Sequence, residues 1–168
     1  MAEGLLSNRL ETLGLTARIH SAGLLDSGSP PSPAAVAALG ARGIDISAHR
    51  SRRLSAPLVN EADLILGLTR EHVREAVLAD PDAWPRSFTL KELVRRGERV
   101  GPWARGQSLE EWLSKVAADR THSDMLGESS ADDVADPMGG PHSVYEATAA
   151  ELSELTDSLA DLLRAGGG

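Results

Sequence analysis

The first fifteen residues (MAEGLLSNRLETLGL) constrain the fold most, because they predict an amphipathic helix with no strand ahead of it. Its apolar side chains recur at helical spacing, and Gly14 ends the pattern. Beyond this helix, strand-like and helix-like segments alternate, which predicts an α/β fold with a parallel sheet. In such folds the first element is normally a strand, and the loop after it binds ligands. We therefore expect that this chain begins just after its own ligand-binding loop.

Three later segments predict strands, at residues 16–22, 62–68 and 87–90. The second, ADLILGL, is a nearly continuous apolar run, as is typical of a strand covered on both faces. Helix starts are predicted where a side chain can cap the first turn, at Ser32, Thr69, Ser108 and Ser143. The chain has 168 residues and no long linker, so we expect one domain over residues 1–165 and a disordered tail at 166–168.

The composition limits the partners and the compartment. A formal net charge of −8 argues against general nucleic-acid binding. No apolar run approaches the roughly 18 residues of a membrane span, and no secretory signal is visible. We therefore expect a cytoplasmic protein with neither nucleic-acid nor membrane partners.

Several kinds of catalytic site are unsupported by this sequence. The chain has no cysteine, which excludes disulfides, thiolate metal sites and a cysteine nucleophile within these residues. Its five histidines show no metal-ligand spacing, so we expect no metal and no cofactor. GxSxG, GxGxxG and GxxxxGK[ST] motifs are all lacking, so a serine hydrolase or a nucleotide-binding loop is not indicated.

Three residues are candidates for chemistry. Asp136 precedes Pro137, which keeps it out of helical geometry, and a carboxyl group held in such a loop can serve as a general acid. Its local sequence alone favours an ordinary solvated Asp-Pro turn. His49, followed by several arginines, could bind an anion or belong to a solvated basic connector. Ser21 follows a predicted strand directly and could equally be a polar residue at the sheet edge.

Taken in order, five segments resemble the low-molecular-weight protein-tyrosine phosphatase family, which also includes arsenate reductases. The resemblance runs nearly from end to end, and its strength lies in the order of motifs that are weak singly. The segments are MAEG at 1–4, SAG at 21–23, GIDISAHRSR at 43–52, ADLILGLTREH at 62–72 and DVADP at 133–137.

The resemblance implies a three-layer αβα fold whose short parallel sheet has four strands in the order 2-1-3-4. The first strand and the CxxxxxR phosphate loop have no counterpart in this chain. Family members hydrolyse phosphotyrosine through a phosphocysteine intermediate. By resemblance, Asp136 is the general acid, and Ser21 and His49 are residues that hydrogen-bond to the phosphate loop. The expected partners are phosphotyrosine proteins or small phosphomonoesters.

Two functional hypotheses follow. The first is a phosphatase whose start was assigned too late, at a methionine inside an RSPMAE-like stretch, so that the chain is N-terminally truncated and inactive as written. The second is a non-catalytic relative that binds a partner or a phosphoprotein. Arsenate reduction is a poorer third option, because it needs cysteines.

Overall fold

The computed structural model describes residues 1–125, 131–164 and 166, without the side chains of His122 and Met125. The chain forms two compact units: the first unit comprises residues 1–53 and 134–160, and the second unit residues 54–133 and 161–168. Of the predicted disordered tail, residues 167 and 168 lie outside the described part. A single domain over residues 1–165 stays a prediction.

Helices dominate the described residues, and the described strands form one short sheet. In chain order the elements are α1 (Ala2–Thr12), α2 (Pro33–Gly40), α3 (Ala56–Asn60), β1 (Ile65–Gly67), α4 (Arg70–Ala79), β2 (Ser87–Thr89), α5 (Leu90–Val100), α6 (Leu109–Val116) and α7 (His142–Leu163), with 3-10 helices at Pro81–Arg86 and His122–Met125. No helix in the described part of the chain is long and apolar enough to cross a bilayer.

Side-chain caps start the helices largely where the sequence predicts them. The Ser32 hydroxyl accepts a hydrogen bond from the Ala35 amide at 3.2 Å, and the Thr69 hydroxyl caps α4 in the same way. Ser108 forms both halves of the predicted capping box ahead of α6. Helix α7 differs, because it already begins at His142. Ser143 therefore lies inside the first turn and not ahead of it.

The first unit is built from α1, α2 and most of α7. Leu5, Leu6 and Leu10 are buried, as the apolar stripe of α1 predicts. Gly14 ends that helix with a φ of +69°, a left-handed conformation that favours glycine. The buried side chains of α7 in this unit include Tyr145, Ala149, Leu152 and Leu159.

The strand predicted at residues 16–22 is wrong. The described backbone there forms no sheet ladder, and the nearest pairing is an isolated parallel bridge between Gly23 and Arg53. The amide of Ser21 donates to the carboxylate of Glu3 at 3.0 Å, so a side chain takes the place that a strand partner would have. A strand needs a neighbour for its backbone groups, and this need is invisible in the local sequence.

The second unit contains the sheet. Strands β1 and β2 run parallel in the register Ile65 to Ser87, Leu66 to Phe88 and Gly67 to Thr89. This confirms an α/β fold with a short parallel sheet, although β1 is shorter than the predicted 62–68. Strand β2 is fully buried, and α4 packs against both strands.

Candidate active site

A single carboxylate, that of Glu3, is the centre of the polar cluster in the first unit. Glu3 lies in the first turn of α1, where the helix dipole favours a negative charge. Its Oε2 accepts a hydrogen bond from the Ser21 hydroxyl at 2.5 Å and another from the Ser21 amide at 3.0 Å. The two bonds fix residue 21 against the start of α1.

His49 approaches the same carboxylate oxygen. Its Nδ1 lies 3.6 Å from Glu3 Oε2, with both side chains about one-third exposed. That distance suits an ion pair when the imidazole is protonated, and it is longer than an ordinary hydrogen bond. Glu3 therefore brings together Ser21 and His49, two of the three candidate residues.

Tight turns place His49 beside α1. The His49 amide donates to the Ile46 carbonyl at 3.0 Å. One turn earlier, the Ser47 amide donates to Asp45 Oδ1 at 2.8 Å, and hydrogen bonds from Ser47 lower the pKa of the Asp45 carboxyl below its ordinary value. Gly43 adopts a φ of +75° at the start of this segment.

Gly4 lets α1 approach the segment that carries His49. A Cβ at this position would lie 2.9 Å from Cγ2 of Ile46 and 3.3 Å from Cγ2 of Ile44. Real Cβ atoms essentially never make the first of these contacts, so any larger residue would force the neighbours apart. The absent side chain thus sets the spacing between Glu3 and residues 44–49.

Asp136 lies in an exposed turn of the first unit. Its Oδ1 accepts a hydrogen bond from the Met138 amide at 2.9 Å, and Gly139 completes the turn with a φ of +78°. Among the described residues, no hydrogen bond joins Asp136 to Glu3, Ser21 or His49. The Asp136 carboxylate is held by its own turn, and the residue is exposed.

Sequence reasoning missed the role of Glu3. The residue lies off the apolar stripe of α1, where a glutamate is usually solvated. The available signal was its place in the MAEG segment, which resembles the residues that follow the phosphate loop in the family. Nothing local pointed to Ser21, because 18 residues separate the two partners.

A second polar centre, in the second unit, is built on Glu92. The Arg120 Nε donates to Glu92 Oε1 at 2.9 Å, and the Arg96 Nε donates to the same oxygen at 3.0 Å. The Arg120 guanidinium also stacks between the rings of Trp84 and Phe88, 3.8 and 4.0 Å from their centroids. Burial lowers the pKa of Arg120, and Glu92 counteracts this.

Beside Glu92 lies a cavity of about 390 Å³ whose lining includes Arg70, Arg95 and Asp132. Both arginines contact the Asp132 carboxylate, at 3.3 and 2.8 Å, so this single carboxylate offsets part of the positive charge in the cavity wall. No group of three or more histidine, aspartate or glutamate side chains in the described part of the chain could hold a metal ion.

A family model described as low molecular weight phosphotyrosine protein phosphatase matches residues 1–99. The chain belongs to this family. The matched residues include Glu3, Ser21 and His49, and Asp136 lies beyond them. The family assignment made from five sequence motifs is therefore confirmed.

Relatives extend the similarity. A probable low molecular weight protein-tyrosine-phosphatase EpsP of Ralstonia solanacearum is 39% identical over 93 residues, which cover 55% of this chain and 62% of the relative. A protein-arginine-phosphatase of Bacillus subtilis is 30% identical over 165 residues, covering 98% of this chain and 87% of the relative.

The fold agrees with solved structures of the same family. A low molecular weight protein tyrosine phosphatase from T. tengcongensis superposes with a TM-score of 0.69 at 32% sequence identity. The match covers 94% of this chain and 86% of that one. The αβα class predicted from the sequence is thereby confirmed.

Proposed function

We propose that this chain provides the acid and the supporting residues of a phosphomonoesterase site. The observation that carries the proposal is the convergence of Ser21 and His49 on Glu3 at the first turn of α1, in a chain of the phosphatase family. Backbone amides at a helix N-terminus bind anions, so the start of α1 suits a phosphate group. Ser21 and His49 would then hold the phosphate-binding backbone in shape.

Asp136 is proposed as the general acid. Protonating the leaving oxygen as the bond to phosphorus breaks is a task for a carboxyl group in an exposed, ordered turn. The turn around Asp136 has this character, because a backbone hydrogen bond to Met138 orients the carboxylate. The same group could afterwards take a proton from the attacking water.

These 168 residues contain no cysteine, so we propose that they do not by themselves hydrolyse a phosphomonoester. Nucleophilic attack in this family requires a thiolate, which forms a bond to phosphorus as the leaving group departs. Asp136, Ser21 and His49 would act on that reaction only when a thiolate and an arginine-bearing phosphate loop are supplied.

A phosphotyrosine side chain in a protein is the first candidate substrate, as the family description suggests. A phosphoarginine side chain is the second, because the relative that matches 98% of this chain is named a protein-arginine-phosphatase. The two differ in the leaving atom that Asp136 would protonate, an oxygen in one case and a nitrogen in the other. A peptide pair with these two modifications separates the candidates.

The central experiment compares two proteins. One is the 168-residue chain, and the other carries a family-type strand and a CxxxxxR loop ahead of Met1. We expect background hydrolysis of p-nitrophenyl phosphate by the first protein and turnover by the second. Hydrolysis by the 168-residue chain itself, abolished by Asp136→Asn, would show that the proposed need for a thiolate is wrong.

The role of Asp136 is tested in the extended protein with two leaving groups. Asp136→Asn should lower kcat by roughly 100-fold or more on phenyl phosphate, whose leaving group needs a proton, and by much less on p-nitrophenyl phosphate. The matched control is Asp63→Asn, at an exposed position of the second unit. Equal losses on the two substrates would exclude the acid role.

A non-catalytic binding module is the alternative. It predicts that the 168-residue chain binds a phosphotyrosine peptide more tightly than the unphosphorylated peptide, while the extended protein stays inactive. Isothermal titration with the two peptides, beside the turnover assay, decides between the two functions.

A further inference from the structure

Residues 49–53 (HRSRR), here called the basic segment, carry three arginines directly after a site residue. Arg50, Arg52 and Arg53 are all exposed. The chain as a whole has a formal net charge of −8, so this segment is a local concentration of the opposite sign. The sequence alone left open whether it binds an anion or is merely solvated.

The backbone of the basic segment is fixed by a second loop, residues 23–29. The amides of Gly23 and Gly28 donate to the carbonyls of Arg52 and Ser51, each at 2.8 Å. In return the Ser51 amide donates to the Ser29 carbonyl at 2.9 Å. A surface held by this many backbone bonds needs little ordering when a partner binds, and this preorganisation favours affinity.

Arg50 and Arg52 have no acidic partner among the described residues. Arg50 Nη1 donates to the carbonyls of Ser47 and His49, at 3.1 and 2.7 Å, and these contacts orient the group without neutralising it. Arg53 faces Asp26 at 3.5 Å, with the two side chains 67% and 96% exposed. Such an exposed pair contributes little and can exchange partners readily.

We propose that the basic segment binds acidic residues that flank the phosphorylated residue of a protein substrate. The proposal rests on the proposed function, because His49 at one end of the segment belongs to the phosphate site. The three arginines lie within four positions of His49, and four extended residues span at most about 14 Å. Acidic side chains within about four positions of the phosphorylated residue would therefore reach them. Arginine suits this task, since its planar guanidinium pairs with a carboxylate through two parallel hydrogen bonds.

A nucleic acid is the less favoured occupant. The chain is acidic overall, and aromatic residues make up only 3% of it, which leaves few platforms for stacking bases. An acidic peptide needs only a short charged surface beside the site, and this is what the segment offers.

The test uses the 168-residue chain and needs no turnover. An unphosphorylated tyrosine peptide flanked by four glutamates is titrated in low salt, beside its glutamine counterpart, and binding is followed by NMR shifts. We expect the acidic peptide to bind several-fold more tightly, with shifts at residues 49–53 that vanish at high salt. The double variant Arg50→Gln, Arg52→Gln should weaken binding by about 10-fold, on the scale of two lost charge pairs.

Two controls separate local from general charge effects. Arg105→Gln changes the charge at an exposed loop position of the second unit and should leave binding unchanged. Arg50→Lys keeps the charge but loses the planar guanidinium, so its affinity should lie between those of the unsubstituted chain and Arg50→Gln. Equal binding of both peptides, an equal loss in Arg105→Gln, or tighter binding of a single-stranded oligonucleotide would each overturn the proposal. Failure here is distinguishable from failure of the proposed function, which is measured by turnover of small phosphomonoesters in the extended protein.

Discussion

Each unit has a polar centre built on a glutamate in the first turn of an 11-residue helix, but the two glutamates have different partners. Glu3, in α1, accepts hydrogen bonds from the neutral donors of Ser21 and faces a histidine. Glu92, in α5, is contacted by two permanently charged guanidinium groups, those of Arg96 and Arg120. The Glu3 side chain is 30% exposed, and that of Glu92 is 11% exposed.

The difference in exposure and in partners indicates a structural role for the Glu92 carboxylate, whereas the Glu3 carboxylate suits a ligand-binding site. A buried carboxylate must be matched by fixed opposite charge, because an unpaired charge inside a protein costs several kcal/mol. A half-exposed carboxylate tolerates neutral or titratable partners, and these can exchange when a ligand arrives. We therefore expect substitutions around Glu92 to change mainly stability, and substitutions around Glu3 to change mainly the geometry of the candidate site.

The largest expected loss of stability follows substitution of Arg120, whose side chain is 2% exposed. Arg120→Ala removes one of the two cationic partners of a buried carboxylate, together with the stacking between Trp84 and Phe88. The free energy of unfolding should fall by about 3–5 kcal/mol, as measured by urea denaturation. The matched substitution Arg105→Ala, at an exposed position, should change it by less than about 0.5 kcal/mol. A loss below about 1 kcal/mol in Arg120→Ala would remove the distinction between the two carboxylates.

Ser21→Ala tests the other side of the comparison. The substitution deletes the hydroxyl that donates to Glu3 and keeps the hydrogen bond from the backbone amide of residue 21. A hydrogen bond to a charged group is worth about 1.5–3 kcal/mol, and partial exposure places the expected loss near 1.5 kcal/mol. Ser114→Ala, at an exposed position of α6, is the control and should be nearly neutral. A double-mutant cycle with Glu3→Gln measures the coupling directly, and a coupling near zero would contradict the role given to Glu3.

Local features of this fold were predictable from the sequence. Caps such as those of Ser32, Thr69 and Ser108 were found because a side chain there bonds to a backbone group three residues away. The strand predicted at residues 87–90, directly ahead of a predicted helix, is observed as β2. The motif order was sufficient to identify the family, since it depends on sequence position and not on contacts.

Features that depend on distant partners could not be predicted. The run at 16–22 has strand-like residues, but the Ser21 amide is bonded to a side chain 18 positions away. Likewise, the pairing of Glu92 with Arg120 spans 28 positions and follows no sequence period. The segment at 97–130, without an evident role in the sequence, supplies through Arg120 one of the two guanidinium groups that contact the buried Glu92. The roles of Asp136, Ser21 and His49 stay predictions that the proposed assays address.

Gly4→Ala should have a smaller effect, because two terms oppose each other. Alanine is favoured over glycine in a helix by about 1 kcal/mol, whereas crowding against Ile46 costs about 1–3 kcal/mol. The expected net loss is about 1 kcal/mol, with NMR shift changes at residues 44–49. Gly40→Ala is the control, since a Cβ there meets nothing within 4 Å, and it should be neutral or slightly stabilising. A stabilised Gly4→Ala variant with unchanged shifts would show that α1 and residues 44–46 have room to spare.

The smallest expected effect sharpens the comparison within the Glu92 centre itself. Arg96 contacts Asp119 at 2.7 Å as well as Glu92, but the Asp119 side chain is 84% exposed. The hydrogen bond from Arg96 lowers the pKa of Asp119 below its ordinary value of 3.8. A lowered pKa means that the carboxylate contributes stability above pH 3.8 and loses that contribution as the pH falls through the folded-state pKa.

Comparing Asp119→Asn with the unsubstituted chain should therefore give a small difference in unfolding free energy at pH 7 that shrinks on acidification below pH 3.8. Denaturation at a series of pH values, with 150 mM and 1 M salt in parallel, provides the measurement. Salt should reduce the Asp119 difference and leave the Arg120→Ala loss nearly intact, because exposed pairs are screened and buried pairs are not. If salt reduces the losses in Asp119→Asn and Arg120→Ala equally, burial does not distinguish the exposed Asp119 from the buried Glu92. The distinction drawn from burial between Glu3 and Glu92 would then fail as well.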